Sequence, residues 1–188
     1  MLAFINRGKC RANAKKYILQ RITNKEFQTM IAKLDNANEA VAKQIYITFQ
    51  RSYQIEAELI GTLNFPPLSR TVNDIHNSQT LFYGFYDDTQ LAGVIELVII
   101  NERLEINSLT VDPDHFRKGI AGKLIRYVLS ECVTSTAITT AIVETAVVNE
   151  PAIELYKKHG FVEFKRWTPD HGIEKLAMIR TGKIGSVV

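Results

Sequence analysis

Two cations, two glycines and an alanine stand together in the run Arg117-Lys118-Gly119-Ile120-Ala121-Gly122. Before it, Leu109-Thr110-Val111 reads as the end of a strand, and Asp112-Pro113 breaks that strand. After it, apolar residues at Ile120, Leu124, Ile125, Val128 and Leu129 recur at helical spacing. The predicted geometry is strand, tight turn, helix. Small residues in the first turn of a helix let a ligand reach the backbone. The unpaired N–H groups there, with the helix dipole, attract an anion. Arg117 and Lys118 add to that attraction, so the expected guest is a phosphate or pyrophosphate. The spacing is neither G-x-x-x-x-G-K-S/T nor G-x-G-x-x-G. Taken alone, the turn is also compatible with glycines that serve packing only.

A second block follows at Asn149-Glu150-Pro151-Ala152-Ile153-Glu154-Leu155-Tyr156-Lys157-Lys158-His159-Gly160-Phe161. Together the two blocks resemble the GNAT superfamily of acetyl-CoA-dependent N-acetyltransferases. The first resembles the family's pyrophosphate loop, Q/R-x-x-G-x-G/A, with Gly119 and Ala121 in the small positions. The leading slot falls on Phe116, and Arg117 stands one place later. The second matches N-x-x-A-x-x-L-Y-x-x-x-G-F at Asn149, Ala152, Leu155, Tyr156, Gly160 and Phe161. The resemblance covers roughly residues 81–179.

It implies direct attack of an amine on the acetyl thioester in a ternary complex, with acetyl-CoA as co-substrate and no metal. Leu109, Thr110 and Val111 would then meet the pantetheine arm through the main chain. Arg117, Lys118, Gly119, Ile120, Ala121 and Gly122 would cradle the pyrophosphate. Asn149 would anchor the cofactor arm, against a plainer role as a helix cap. Tyr156 would supply a proton to the departing thiolate, against a plainer role as a packed helix tyrosine. For the base, Glu105 on the cofactor strand is the choice over Glu96 and Glu144; strand alternation sends Glu105 and Asn107 to one face. The acceptor site should be walled by the segments before the motifs. There Tyr53 and Glu56 share a helix face and could bind a cationic amine, and Arg70 could instead select a carboxylate. A non-catalytic acyl-CoA-binding or partner-binding module on the same fold is the alternative.

The elements that must position these groups are readable in outline. Strands are expected at 27–34, 80–86, 91–100, 104–111, 137–148, 161–167 and 173–179. Helices are expected at 39–50, 52–60, 119–132 and from Pro151 to the stop at Gly160, with an extended Phe65-Pro66-Pro67-Leu68 and a short turn capped by Thr71. The pattern predicts an α/β (α+β) fold. It is a mixed, mostly antiparallel sheet of six or seven strands with helices on both faces, splayed between 104–111 and 137–148 to form the acyl-CoA slot.

Composition agrees with a single globular domain. Of 188 residues, 46% are hydrophobic and 23% charged, which excludes collagen-like, disulfide-scaffold and low-complexity chains. No apolar run approaches the ~20 residues of a membrane span, so no membrane partner is expected. The two cysteines, Cys10 and Cys132, form no C-x-x-C pair, and a reducing, cytoplasmic setting is the simpler reading. His76, His115, His159 and His171 lack metal-ligand spacing, and His115 reads as a surface-loop residue, with lining the mouth of the phosphate loop as the alternative. Seven basic residues and no acid occupy the first 25 positions. Residues 1–26 are therefore taken as a basic extension and 27–188 as one acetyltransferase-like domain. A solvated tail, an organelle presequence and an anion-binding arm remain open for the extension; nucleic-acid binding through it lacks interleaved aromatics. The partners implied are acetyl-CoA and an amine acceptor, and a homodimer is allowed but not demanded.

Overall fold

The computed structural model describes residues 29–62, 64–130 and 138–184. The basic segment, Cys10 and Cys132 lie outside the described residues, as do the predicted strand start at 27–28 and the predicted helix end at 131–132.

Seven strands form one sheet in the order β1-β2-β3-β4-β5-β7-β6. They are β1 (Thr29–Leu34), β2 (Leu81–Asp87), β3 (Gln90–Ile100), β4 (Arg103–Val111), β5 (Ile138–Ala146), β6 (Val162–Trp167) and β7 (Lys175–Ile184). Every neighbouring pair is antiparallel except β4–β5, which is parallel. Alternation along the central strands splits the core in two. Phe82 and Val94 face α1 (Glu39–Ile60) and α2 (Val72–His76), while Tyr83 and Ile95 face α3 (Ile120–Ser130) and α4 (Glu150–Lys158). The predicted fold class and the covering of both faces by helices are observed.

The two helices expected at 39–50 and 52–60 are one helix, α1, of 22 residues. Ala42, Ile45, Phe49, Tyr53 and Ala57 keep a single buried stripe across the apparent break. Asn38 caps its start by accepting the Ala40 N–H at 2.9 Å, and Gly61 ends it at φ 75°. The polar residues at the junction, Gln50, Arg51 and Ser52, are half-buried and find partners or a cleft within the fold. Among them, Arg51 reaches Asp112 and Asp114 at 2.8 and 2.9 Å. A helix of this length runs about 33 Å, enough to pass beside both motifs.

The decisive feature of the sheet is where β4 leaves β5. Their pairing covers only Arg103↔Thr140 to Ile106↔Val143. In the β3–β4 ladder Leu97 pairs with Ile106 and Glu96 with Ser108, so Asn107 is an extra residue in a bulge. A bulge bends its strand and increases local twist, and this one stands at the point of divergence. Beyond it β4 and β5 each continue, separated by an open slot.

Candidate active site

The turn after β4 is held by charges from three elements. Asp112 accepts the Asp114 N–H at 3.0 Å and caps a short 3₁₀ turn, Pro113–His115. Arg51 of α1 pairs with both aspartates. His115 is 7% exposed, with Nε2 3.4 Å from Asp87 and Nδ1 3.7 Å from Asp112. The expectation of a surface-loop histidine is corrected: the turn folds back against the β2 end, and the imidazole is enclosed. Two left-handed residues follow, Arg117 at φ 62° and Gly119 at φ 73°. They swing the chain into α3 with its first-turn N–H groups unpaired by the helix itself.

These groups open onto a cleft of about 730 Å³, within the range of small-molecule sites. Its near wall includes Leu109, Val111, Phe116, Arg117 and the backbone of 119–122. Its far wall includes Ile55, Leu59, Pro151, Leu155 and Lys158. A Cβ built on Gly119 meets no atom within 4 Å, so the backbone there faces free space. A phosphate-ended ligand with an apolar arm fits such a cleft on both counts, an open N–H cradle at one end and aliphatic walls along the rest. Two of the expected cofactor-binding residues, Lys118 of the cradle and Thr110 of the strand, do not present their side chains to the cleft. Lys118 does not line the cleft; its ammonium pairs with Asp87 at 3.2 Å. Thr110 pairs with Val94, whose side chain belongs to the α1-side core, and it is 3% exposed.

A second cavity of about 360 Å³ lies beside the first. Glu56, Leu109, Asn149 and Ala152 line both, so the two spaces meet there. Tyr53, Tyr156, Phe65, Pro66 and Pro67 wall the smaller one. Tyr53 and Ser108 share a hydrogen bond of 2.8 Å, and burial pushes the Tyr53 phenol up to about 12. Asn149 does two jobs. Its Oδ1 accepts the Ala152 N–H at 3.2 Å as the cap of α4, and its Nδ2 donates to Glu56 Oε1 at 3.0 Å. Burial raises the Glu56 pKa, and the Asn149 bond offsets only part of that rise. Tyr156 is 5% exposed, and its phenol, with no hydrogen-bond partner among the described residues, is held protonated by burial.

Other expected site groups lie elsewhere. Glu105 lines neither cavity and is ion-paired with Arg103 on its own strand. The alternation that put Glu105 and Asn107 on one face is broken by the bulge, which gives that face to Ser108. Arg70 and Glu96 answer each other in a two-pronged pair of 2.5 and 2.9 Å. Thr80 donates a further bond to Glu96 at 2.6 Å, and the guanidinium lies over Phe49 and Phe82. Arg70 thus anchors the Phe65-Pro66-Pro67 wall rather than meeting an acceptor. Glu144 does line the small cavity and pairs with Lys175 at 3.6 Å. Ser108, His171, Ile173 and Lys175 were not singled out from the sequence. The last three arrive from the β6–β7 connection and the start of β7, for which no local motif exists.

A sheet splayed at β4–β5, with a left-handed turn feeding a helix N-terminus beside the slot, defines an acyltransferase-type architecture. The family model of the Acetyltransferase (GNAT) family matches residues 42–161, and the chain belongs to that family. It is 35% identical over 132 residues to UPF0157 protein YqkA of Bacillus subtilis (strain 168), covering 70% of this chain and 38% of that protein. The chain thus spans well under half the length of this relative. Its fold is similar to the ribosomal-protein-S18-alanine N-acetyltransferase of Escherichia coli, with TM-score 0.65, 17% identity and coverage of 85% of this chain and 97% of that one. It is equally similar to the PaiA N-acetyltransferase of Thermoplasma acidophilum, solved in complex with coenzyme A, with TM-score 0.65, 22% identity and coverage of 82% and 99%. Among the described residues no His, Cys, Asp and Glu group could hold a metal ion, and no helix is long and apolar enough to cross a membrane.

Proposed function

We propose that the protein transfers an acetyl group from acetyl-CoA to a primary amine by direct attack, with residues 27–188 acting as one catalytic domain. The observation that carries this reading is the meeting of the two cavities at Glu56, Leu109, Asn149 and Ala152, with the Tyr156 phenol beside it. Acetyl-CoA supplies the activated thioester; the chain's task is to hold, orient and move protons. The unpaired N–H groups of Ile120, Ala121 and Gly122 and the Arg117 cation suit a diphosphate. The free edge of β4 at Leu109 and Val111 suits the amides of a pantetheine arm.

Glu56 takes the role first given to Glu105. Its carboxylate stands where both spaces open, and a raised pKa brings its proton affinity closer to that of an amine. It accepts the proton that the incoming ammonium must lose. Tyr156, kept protonated by burial, donates to the departing sulfur. Asn149 holds Glu56 in place through the 3.0 Å amide bond.

A thermal-unfolding titration with acetyl-CoA, with 3′-dephospho-CoA and adenosine as controls, followed by a thiol-release assay over an amine panel, tests the reading. Ligand at ~100 times its Kd stabilises by about 2.7 kcal/mol, or about 5–10 °C for a chain of this size. A saturable shift with amine-dependent thiol release is expected. A folded protein with no shift at millimolar acetyl-CoA would overturn it.

A further inference from the structure

The smaller cavity has a charge count that membership of the family leaves open. Four ionisable groups other than its two tyrosines face it: Glu56 from α1, Glu144 from β5, Lys175 from β7, and His171 from the β6–β7 connection. His171 accepts the Ile173 N–H through Nδ1 at 3.2 Å, so Nδ1 carries no hydrogen in this contact. Lys175 stands 3.6 Å from Glu144 and its charge also reaches Glu56, so one cation answers two carboxylates. Glu56 takes a hydrogen bond from the neutral amide of Asn149 and makes no ion pair among the described residues. One negative charge is left uncompensated. The facing wall of Tyr53, Phe65, Pro66 and Pro67 carries no charge.

Resting on the acetyltransferase reading, we propose that the acceptor is a primary amine with a single positive charge on an apolar body. In this arrangement Lys175 and Glu144 already answer each other, so a second cation or a carboxylate on the acceptor would have to break that pair to find a partner. A half-buried carboxylate lacking its own counter-ion is costly, and one ammonium restores neutrality. A diamine would bring a surplus cation beside Lys175. An amino acid would bring a surplus anion beside Glu144. Either leaves an unpaired charge in a partly desolvated space, which is how a site discriminates between similar ligands.

Three acceptors of one length isolate this effect. Pentylamine, 1,5-diaminopentane and 5-aminopentanoate share one amine end and differ at the other in a methyl, an ammonium or a carboxylate. The wild-type protein should favour pentylamine in kcat/KM by about tenfold or more. Lys175→Met should raise the diamine-to-pentylamine ratio about tenfold, and Glu144→Gln should raise the aminopentanoate-to-pentylamine ratio similarly. Ratios within one variant cancel any change that Lys175→Met makes to proton uptake by Glu56. Both shifts should shrink as salt rises, because the Lys175–Glu144 pair is partly exposed. Should one variant fail to fold, the ratio in the other carries the test. A wild-type preference for the diamine or the aminopentanoate would overturn the proposal, as would unchanged ratios in folded variants. So would no turnover of any of the three by a protein that acetyl-CoA still stabilises. Loss of that stabilisation itself would instead overturn the underlying activity, and the proposal with it.

Discussion

Gly119 and Gly61 form a matched pair for testing the cleft. Both hold left-handed backbone, at φ 73° and 75°, and a Cβ added to either meets no atom within 4 Å. Gly119 opens onto the large cleft, whereas Gly61 terminates α1 and does not line it. Substitution by alanine at either position should therefore cost only the backbone strain, about 1–2 kcal/mol, seen as a fall in Tm of about 2–8 °C. The difference should appear with ligand. In Gly119→Ala the new methyl projects into the space where a diphosphate would approach the N–H groups. A tenfold loss of affinity, about 1.4 kcal/mol, would cut the stabilisation at a fixed acetyl-CoA concentration from about 2.7 to about 1.4 kcal/mol. Gly61→Ala should keep the full shift. Differential scanning fluorimetry with and without acetyl-CoA reads both quantities in one experiment. If Gly119→Ala loses stability like its partner yet keeps the full ligand shift, the cradle assignment is wrong.

Glu56→Gln should slow turnover by about 10²–10⁴-fold and abolish the acidic limb of the pH–rate profile, while acetyl-CoA still binds. Because burial raises the Glu56 pKa above its unfolded value, the native state binds more protons in that window, and stability falls as pH rises through it. The glutamine variant should therefore have the higher Tm at neutral pH and above, and the advantage should vanish below about pH 4; an unchanged difference across pH would refute the burial argument. Tyr156→Phe should lower kcat by about 10²–10⁴-fold and leave the acetyl-CoA shift intact, and full activity would remove the phenol from the mechanism. Arg70→Met breaks a pair whose Glu96 partner is only 4% exposed. It should cost roughly 3–5 kcal/mol, about 6–20 °C in Tm, with part recovered by adding Glu96→Leu; a smaller loss would mean that the Phe65-Pro66-Pro67 wall is held by other contacts.

The two motifs were legible because each is a local constraint. A left-handed glycine, a cap and small residues at a helix start act within a few positions, so spacing alone reveals them. What was not legible depended on partners far along the chain. Gln50-Arg51-Ser52 interrupts the apolar period and reads as a break, but Arg51 is accommodated inside one helix because Asp112 and Asp114, 61 and 63 residues away, receive it. On paper Glu105 is the base and Glu56 only an amine contact. A single inserted residue, Asn107, gives the face expected for Glu105 to Ser108, and the amide of Asn149, 93 residues away, holds Glu56 where the two cavities meet. Lys175 and His171 reach the cavity only through the β6–β7 connection, which has no pattern of its own.

The slot itself follows from how the sheet is tied together. β4 is paired with β3 from Arg103 to Val111, and β5 with β7 from Ile138 to Ala146, both antiparallel and nearly full-length. The parallel β4–β5 ladder holds only four residue pairs. When Asn107 adds one residue to β4, the resulting twist cannot be absorbed on the β3 side, where Glu96 is fixed by Arg70 and Thr80. The shortest ladder is the one that opens. The main-chain groups released there at Leu109 and on β5 beyond Val143 face a cleft instead of a neighbouring strand. They require a partner in the bound state, so a ligand carrying amides along its length suits this edge better than a purely aliphatic one.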